Sequence, residues 1–193
     1  MEWWDFDDAG FLHQAHLKPG EDPYAKHNFN QVVSNKMKPD RSIPDTRNSQ
    51  CALKTYETTN FPTTSVIIVY HNEAHSTLLR TLISVLQRSP AELIKEILLI
   101  DDFSKTGNLG SQLAQIKKVK AVKNTKREGL IRSRLKGAEM AKGKVIVFLD
   151  SHMEVNKDWL QPLLAHLDKN KRAFAVPVID GIDKNTFRYF GSR

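Results

Sequence analysis

From Ser65 onward the chain alternates between two hydrophobic periods. Short apolar runs, SVIIVY, KEILLID, KVKAVKN and KVIVFLD, are separated by stretches in which apolar residues recur every three or four positions. These stretches are STLLRTLISVLQRSP, the segment carrying Leu109, Leu113 and Ile116, EGLIRSRLKGAEMAKG, and WLQPLLAHL. A short unbroken apolar run predicts a strand buried on both faces, and the longer period predicts a helix with one apolar side. Strand and helix in turn predict a mainly parallel sheet covered by helices on both faces, an α/β doubly wound architecture. A further apolar run, AFAVPVI, follows the last helix, and Met140, Phe148 and Trp159 fall on apolar faces where core positions are expected.

Before this point the pattern is different. Residues 1–61 have scattered apolar positions and many turn formers, as in LKPGEDPYAKHNFN and SIPDTRN. They predict an extended arm with few regular elements, wrapped over the α/β unit of residues 62–193 and lacking a core of its own.

Composition narrows the class. At 193 residues and 40% hydrophobic content the chain is long enough for one domain with a packed core. No apolar run approaches the roughly 20 residues that span a bilayer, and MEWWDFDDAG is acidic and aromatic where a signal peptide is basic, so no address or anchor is expected within these residues. The lone Cys51 has no internal partner for a disulfide. The net charge is +7, and the segment Lys117–Lys144 alone carries eleven basic residues against Glu128 and Glu139, a local balance of +9. Such a run suits anionic partners, although most of its lysines are expected to face water. Nucleic acid is a poor candidate partner, because no reader motif is present and the aromatic residues do not interleave with the basic run.

Parallel α/β sheets bind ligands at the carboxyl ends of their strands. The first predicted strand ends in YHNEA, the second in DDFS and the fourth in DSH. HNEAHSTL contains neither G-x-G-x-x-G nor G-x-x-x-x-G-K-[ST], which argues against dinucleotide-binding and P-loop chemistry, and the glycine- and lysine-rich loop of a nucleotidyltransferase is missing as well. Asp150 and His152 lie one residue apart where the chain leaves an apolar strand, so both side chains can reach one ion and leave positions for phosphate oxygens. Carboxylate plus imidazole suits Mn²⁺, and a metal–diphosphate site opposite Asp101 and Asp102 is the reading these residues favour. Asp101 and Asp102 are not separable by sequence as the functional member of their pair. Arg127 and Arg134 in REGLIRSR are expected on roughly similar sides of a helix, about 10 Å apart along its axis.

The segments TSVIIVYHNEAHSTLLRTLISVLQRSP, EILLIDDFS, REGLIRSRLKGAEMAKGKVIVFLDSHMEVNKDWLQPLL and PVIDGI resemble the opening half of the catalytic domain of the polypeptide N-acetylgalactosaminyltransferases, which start mucin-type O-glycosylation. GEDPYAKHNFNQVVSNKMKPDRSIPDTRNSQC is similar to the segment just before that domain. The resemblance implies a GT-A, Rossmann-like glycosyltransferase fold, incomplete at its C-terminal side. It further implies a retaining, Mn²⁺-dependent enzyme that takes UDP-N-acetylgalactosamine as donor and Ser or Thr of a polypeptide as acceptor, in the Golgi lumen. By position, Asp150 and His152 match the family's metal ligands and Ser151 a donor-contacting serine. Val69 and His71 match positions lining the uracil pocket, Asp102 an aspartate that meets the nucleoside, Arg127 a donor-binding arginine, and Arg134 a basic residue beside the sugar and diphosphate.

The resemblance also implies what these residues lack. A third metal ligand, the segment that closes over donor and acceptor, the lectin domain, the membrane anchor and the partner of Cys51 all fall outside them. On this reading no catalytic residue is assigned within the chain, and the 193 residues are expected to hold the donor without transferring sugar on their own.

Overall fold

A computed structural model describes residues 1–105 and 107–192. Its centre is a four-stranded, all-parallel sheet made of β1 (Thr64–Tyr70), β2 (Ile94–Asp101), β3 (Val119–Lys123) and β4 (Val145–Asp150), in the spatial order β3-β2-β1-β4. The chain moves outward from β1 through β2 to β3, then crosses back to lay β4 on the other side of β1. The change of direction therefore falls between β1 and β4, the place where such sheets leave a crevice for ligands.

β1 is buried along its whole length and its side chains divide between two cores. Val66, Ile68 and Tyr70 pack with Leu78, Leu79 and Leu82 of α4 (His75–Arg88) and with Leu109 and Leu113 of α5 (Leu109–Leu113). Ile67 and Val69 turn the other way, with Leu98 and Ile100 of β2, toward Ala138 of α6 (Leu130–Met140). Gly137 makes that approach possible, because a Cβ there would lie 2.5 Å from Ile67 Cγ2. α4 stops at Arg88, ahead of Ser89-Pro90, since the residue before a proline avoids the helical region. Helix α7 (Leu160–Lys169) adds Leu160 and Leu164 to the larger core.

Residues 1–61 hold more regular structure than their turn-rich composition predicts: a 3₁₀ turn at Trp3–Asp5 and helices α1 (Asp8–His13), α2 (Gln31–Lys36) and α3 (Ser49–Ala52). Asp7, Asn30 and Asn48 each cap a helix through the side chain, which lets such short helices form. Phe11 of α1 is buried in the larger core. Arg80 of α4, itself buried, donates to the Ser34 carbonyl at 2.7 Å and to Ser34 Oγ at 2.6 Å, and meets Glu154 Oε1 at 3.2 Å. Arg41 closes on the same Glu154 carboxylate with two bonds of 2.8 and 2.9 Å. Two guanidiniums on one buried carboxylate thus tie residues 34 and 41 to the sheet unit.

Of the three expected core positions Met140, Phe148 and Trp159, only Trp159 packs against the core. β4 is half-buried, and on one face only: Val145, Val147 and Leu149 pack on the larger core, whereas Ile146 and Phe148 are 39% and 45% exposed. Met140 is 37% exposed at the end of α6, and Trp159 is half-buried against the core. The run AFAVPVI forms no strand, and its Phe174 is 97% exposed. Apolar side chains are buried only when another layer lies opposite, and among the described residues no apolar layer covers the outer side of β4, where the Arg134 guanidinium stands over Phe148, or the 173–179 run. The chain ends in a hairpin of β5 (Gly181–Ile182) and β6 (Tyr189–Phe190).

Candidate functional site

The polar ends of β1, β2 and β4 meet at the carboxyl edge of the sheet. Register places Val69 between Ile100 of β2 and Asp150 of β4, and Tyr70 beside Asp101, so the residues that follow each strand leave the sheet at one level. Two corners form there.

The first lies between β1, β2 and the loop before α6. Asp102 is 1% exposed and its carboxylate accepts from the Glu128 N–H at 2.8 Å, the Gly129 N–H at 3.0 Å, Asn124 Nδ2 at 3.0 Å and Arg127 Nη1. Burial alone would raise its pKa, but the Glu128 N–H, Asn124, the Gly129 N–H and the charge of Arg127 outweigh it and the carboxyl is held low. Gly129 adopts φ +86° to aim its N–H at Asp102, a conformation that an L side chain resists although open space surrounds it. His71 Nδ1–H donates to the Asp102 carbonyl at 2.8 Å, and its Nε2 accepts from Asn72 Nδ2 at 2.9 Å. Asn72 itself sits at φ +51°, in the left-handed region that asparagine tolerates. Val69 is buried beneath this corner, against Ile67, Leu98 and Ile100.

Asp101 has a different task. Its Oδ1 accepts from the Ser104 N–H at 2.7 Å and it faces Lys123 at 3.7 Å, so it shapes the turn after β2. Of the two aspartates, Asp102 is the one that anchors Arg127. Arg127 precedes α6 rather than entering it, and it does not share a helix face with Arg134.

The second corner lies in the crevice between β1 and β4. Asp150 Oδ1 accepts from Arg134 Nη2 at 3.0 Å, and the Arg134 guanidinium stands 5.8 Å over the Phe148 ring. Ser151 Oγ donates to Glu73 Oε2 at 2.6 Å, and His152 Nδ1–H donates to the same oxygen at 3.1 Å. Glu73 Oε1 is occupied by the Ala74 N–H at 2.9 Å and by Thr77 Oγ1 at 3.0 Å. Burial would raise the Glu73 pKa; the bonds from His152, Ser151 and Ala74 overcome it and lower the value to about 2. The hydrogen bond to Glu73 in turn raises that of His152.

These side chains suit a divalent ion in kind. Asp150 offers a half-exposed carboxylate, and His152 Nε2 has no hydrogen-bond partner among the described residues. They do not complete a cage, since no group of three or more His, Cys, Asp or Glu side chains able to hold a metal occurs among the described residues. Asp150, His152 and Arg134 line an open cleft of about 1460 Å³ that continues along Phe148 to the exposed 173–179 run, whereas Asp102, Arg127 and His71 lie outside it.

The basic run is largely spent on internal pairing. Lys120 meets Glu96 at 2.6 Å, Lys117 meets Glu2 at 2.8 Å, Lys136 donates to Asn124 at 2.9 Å, and Arg127 and Arg134 are held by Asp102 and Asp150. Sequence reasoning missed Glu73, Asn124 and the Arg80–Glu154–Arg41 cluster. YHNEA marked a polar strand end, yet no spacing connects Glu73 to residues 78 and 79 positions later. Cys51 is exposed and free.

Comparisons with known proteins bear on the family and the fold. Residues 65–193 match the model of glycosyl transferase family 2. The chain is 47% identical over 192 residues to polypeptide N-acetylgalactosaminyltransferase 4 of Caenorhabditis elegans, covering 100% of this chain and 33% of that protein. It is 48% identical to human polypeptide N-acetylgalactosaminyltransferase 14, covering 98% of this chain and 34% of the relative. The chain therefore spans about a third of the length of these relatives. Among solved structures, GalNAc-T7 with UDP, GalNAc and Mn²⁺ superposes with a TM-score of 0.80 at 42% identity, over 85% of this chain and 31% of that one. The four parallel strands with their helices are accordingly a GT-A fold. The chain belongs to glycosyl transferase family 2, among the polypeptide N-acetylgalactosaminyltransferases.

Proposed function

We propose that the chain is the donor-binding half of a UDP-GalNAc:polypeptide N-acetylgalactosaminyltransferase, with residues 1–61 as an arm and 62–193 as the nucleotide-sugar unit. The observation that carries the reading is the crevice between β1 and β4, where Asp150, His152, Ser151 and Arg134 gather at the switch point of a parallel sheet. Mn²⁺, present in the GalNAc-T7 structure, would be held here by Asp150 and His152. When bound, such an ion neutralises a diphosphate and stabilises the charge that develops on a UDP leaving group.

The chain's own residues supply the rest. Arg134 already stands beside Asp150, and its planar fork suits a phosphate pair. Asp102 holds Arg127 at the mouth of the nucleoside corner, with Val69 beneath it and His71 beside it, while the buried Ser151 hydroxyl is held by Glu73 at the turn after β4. The whole enzyme would act with retention on Ser or Thr of polypeptides in the Golgi lumen.

A second reading, a non-catalytic nucleotide-binding or interaction fragment of the same family, is favoured by one observation. Two candidate ligands lie in an open cleft, and no third is present among the described residues. Transfer requires the reacting atoms placed to within about 1 Å of the productive geometry and water excluded. The test is to incubate the 193-residue chain with UDP-N-acetylgalactosamine, Mn²⁺ and a Ser/Thr-rich peptide and to examine the peptide by mass spectrometry. No glycopeptide is expected, and its formation would show that these residues meet the catalytic requirement.

A further inference from the structure

The residue that organises the crevice is not one of its candidate ligands. We propose that Glu73 is the positioning residue of the metal corner: it fixes Ser151 and sets His152 in the one tautomer that presents Nε2 as a lone-pair nitrogen. This rests on the reading that the corner takes Mn²⁺.

The geometry makes the carboxylate a bracket between two elements. Oε1 is anchored to the start of α4 by the Ala74 N–H and Thr77 Oγ1, at 2.9 and 3.0 Å, where the helix end favours a negative charge. That anchoring leaves Oε2 pointing across the crevice to the turn after β4, where it receives Ser151 Oγ and His152 Nδ1 at 2.6 and 3.1 Å. α4 holds the same turn a second time, through Thr81 Oγ1 donating to the Ser151 carbonyl at 3.0 Å. Each carboxylate oxygen is thus shared by two donors, three of the four bonds being partly buried and that of His152 exposed.

The chemistry follows from what a carboxylate cannot do. An ionised carboxylate only accepts, so the nitrogen facing it must carry the proton. With Nδ1 protonated, the neutral ring has its lone pair on Nε2, the nitrogen without a partner among the described residues. A free histidine side chain in water prefers the opposite arrangement, so without Glu73 the ring would bind a metal through Nε2 only after a proton moved between its nitrogens. Carboxylates behind ligating histidines affect metal affinity by about 10–100-fold in other proteins.

The test uses the 193-residue chain, with Mn²⁺ alone as the probe. Long-range ¹H–¹⁵N spectra of the metal-free chain at alkaline pH, where imidazole is neutral, report the His152 tautomer, and electron paramagnetic resonance reports free Mn²⁺ during titration. The wild-type chain is expected to show the Nδ1–H form. Glu73→Ala is expected to shift His152 toward the Nε2–H form and to weaken Mn²⁺ binding by about 10–100-fold. A merely structural role would leave the tautomer in place.

An Nε2–H tautomer in the wild-type chain overturns the proposal without recourse to any variant, which covers the case in which Glu73→Ala does not fold. An unchanged tautomer and Mn²⁺ affinity in a folded Glu73→Ala chain overturn it as well. If the tautomer follows Glu73 but the wild-type chain binds no Mn²⁺, the positioning of His152 stands and the metal reading fails.

Discussion

At the scale of single residues, the molecule places its buried and partly buried carboxylates where they hold loops together. Asp102 binds the turn before α6, Glu73 the turn after β4, and Glu96 the turn between α6 and β4. Glu96 is buried at the opposite edge of the sheet from the site and accepts from Lys120 Nζ at 2.6 Å, the Lys142 N–H at 2.7 Å and Ser65 Oγ at 2.9 Å. Burial would raise its pKa, but those bonds lower it below the ordinary value of 4.5. A carboxyl whose folded pKa is depressed stabilises the fold above its unfolded value, and that contribution is lost as pH falls through the folded value. Glu96→Gln is therefore expected to cost about 1–3 kcal/mol near neutral pH. In urea denaturation at a series of pH values, the gap to wild type should narrow as pH falls below 4.5. A gap that stays constant to acid pH would show that the charge of Glu96 contributes nothing to the fold.

At the scale of elements, β4 joins the site to the least covered part of the molecule. Its inner side chains close the larger core and its last residue is Asp150, while Ile146 and Phe148 point outward. An edge strand with exposed apolar side chains offers both unpaired backbone groups and a sticky face. The chain is expected to self-associate at micromolar concentration, and Ile146→Lys, which places a charge on that edge, is expected to reduce the association in sedimentation velocity. A wild-type chain that sediments as a single monomer would contradict this. The loop after β1 is the second element that matters. His71 belongs to the corner built around Asp102 and Glu73 to the one built around Asp150 and His152, so three consecutive residues, with Asn72 in a left-handed conformation between them, connect the two.

At the scale of the whole molecule, the parallel sheet was legible in the sequence because buried central strands are apolar on both faces and the helices between them carry one apolar side. Asp150 and His152 were legible because polar residues end an apolar run at the edge where such sheets bind ligands. What could not be read was pairing across the fold. Glu73 carries no signal of its own, since its partners come from β4, and Asp102 stood out from Asp101 only when the Arg127–Gly129 loop was seen to close on it. Phe148 and Met140 were misplaced because burial depends on the layer opposite, which local periodicity does not encode. The lysines of the basic run face water, as expected, while pairing with carboxylates or backbone groups of the same chain, and those partners lie too far away in sequence for local reading to find.

The proposed function requires the two corners to form one donor site, with a divalent ion held by Asp150 and His152. If UDP binds through that ion, Mn²⁺ and UDP must each tighten the binding of the other by the same factor. Titration calorimetry of UDP into the wild-type chain, with and without Mn²⁺, measures this directly. Mn²⁺ is expected to strengthen UDP binding on the order of tenfold, within the usual span of such couplings. Asp150→Ala should abolish the difference while leaving the weak metal-free binding in place. Equal UDP affinity with and without Mn²⁺ in the wild-type chain would contradict the account.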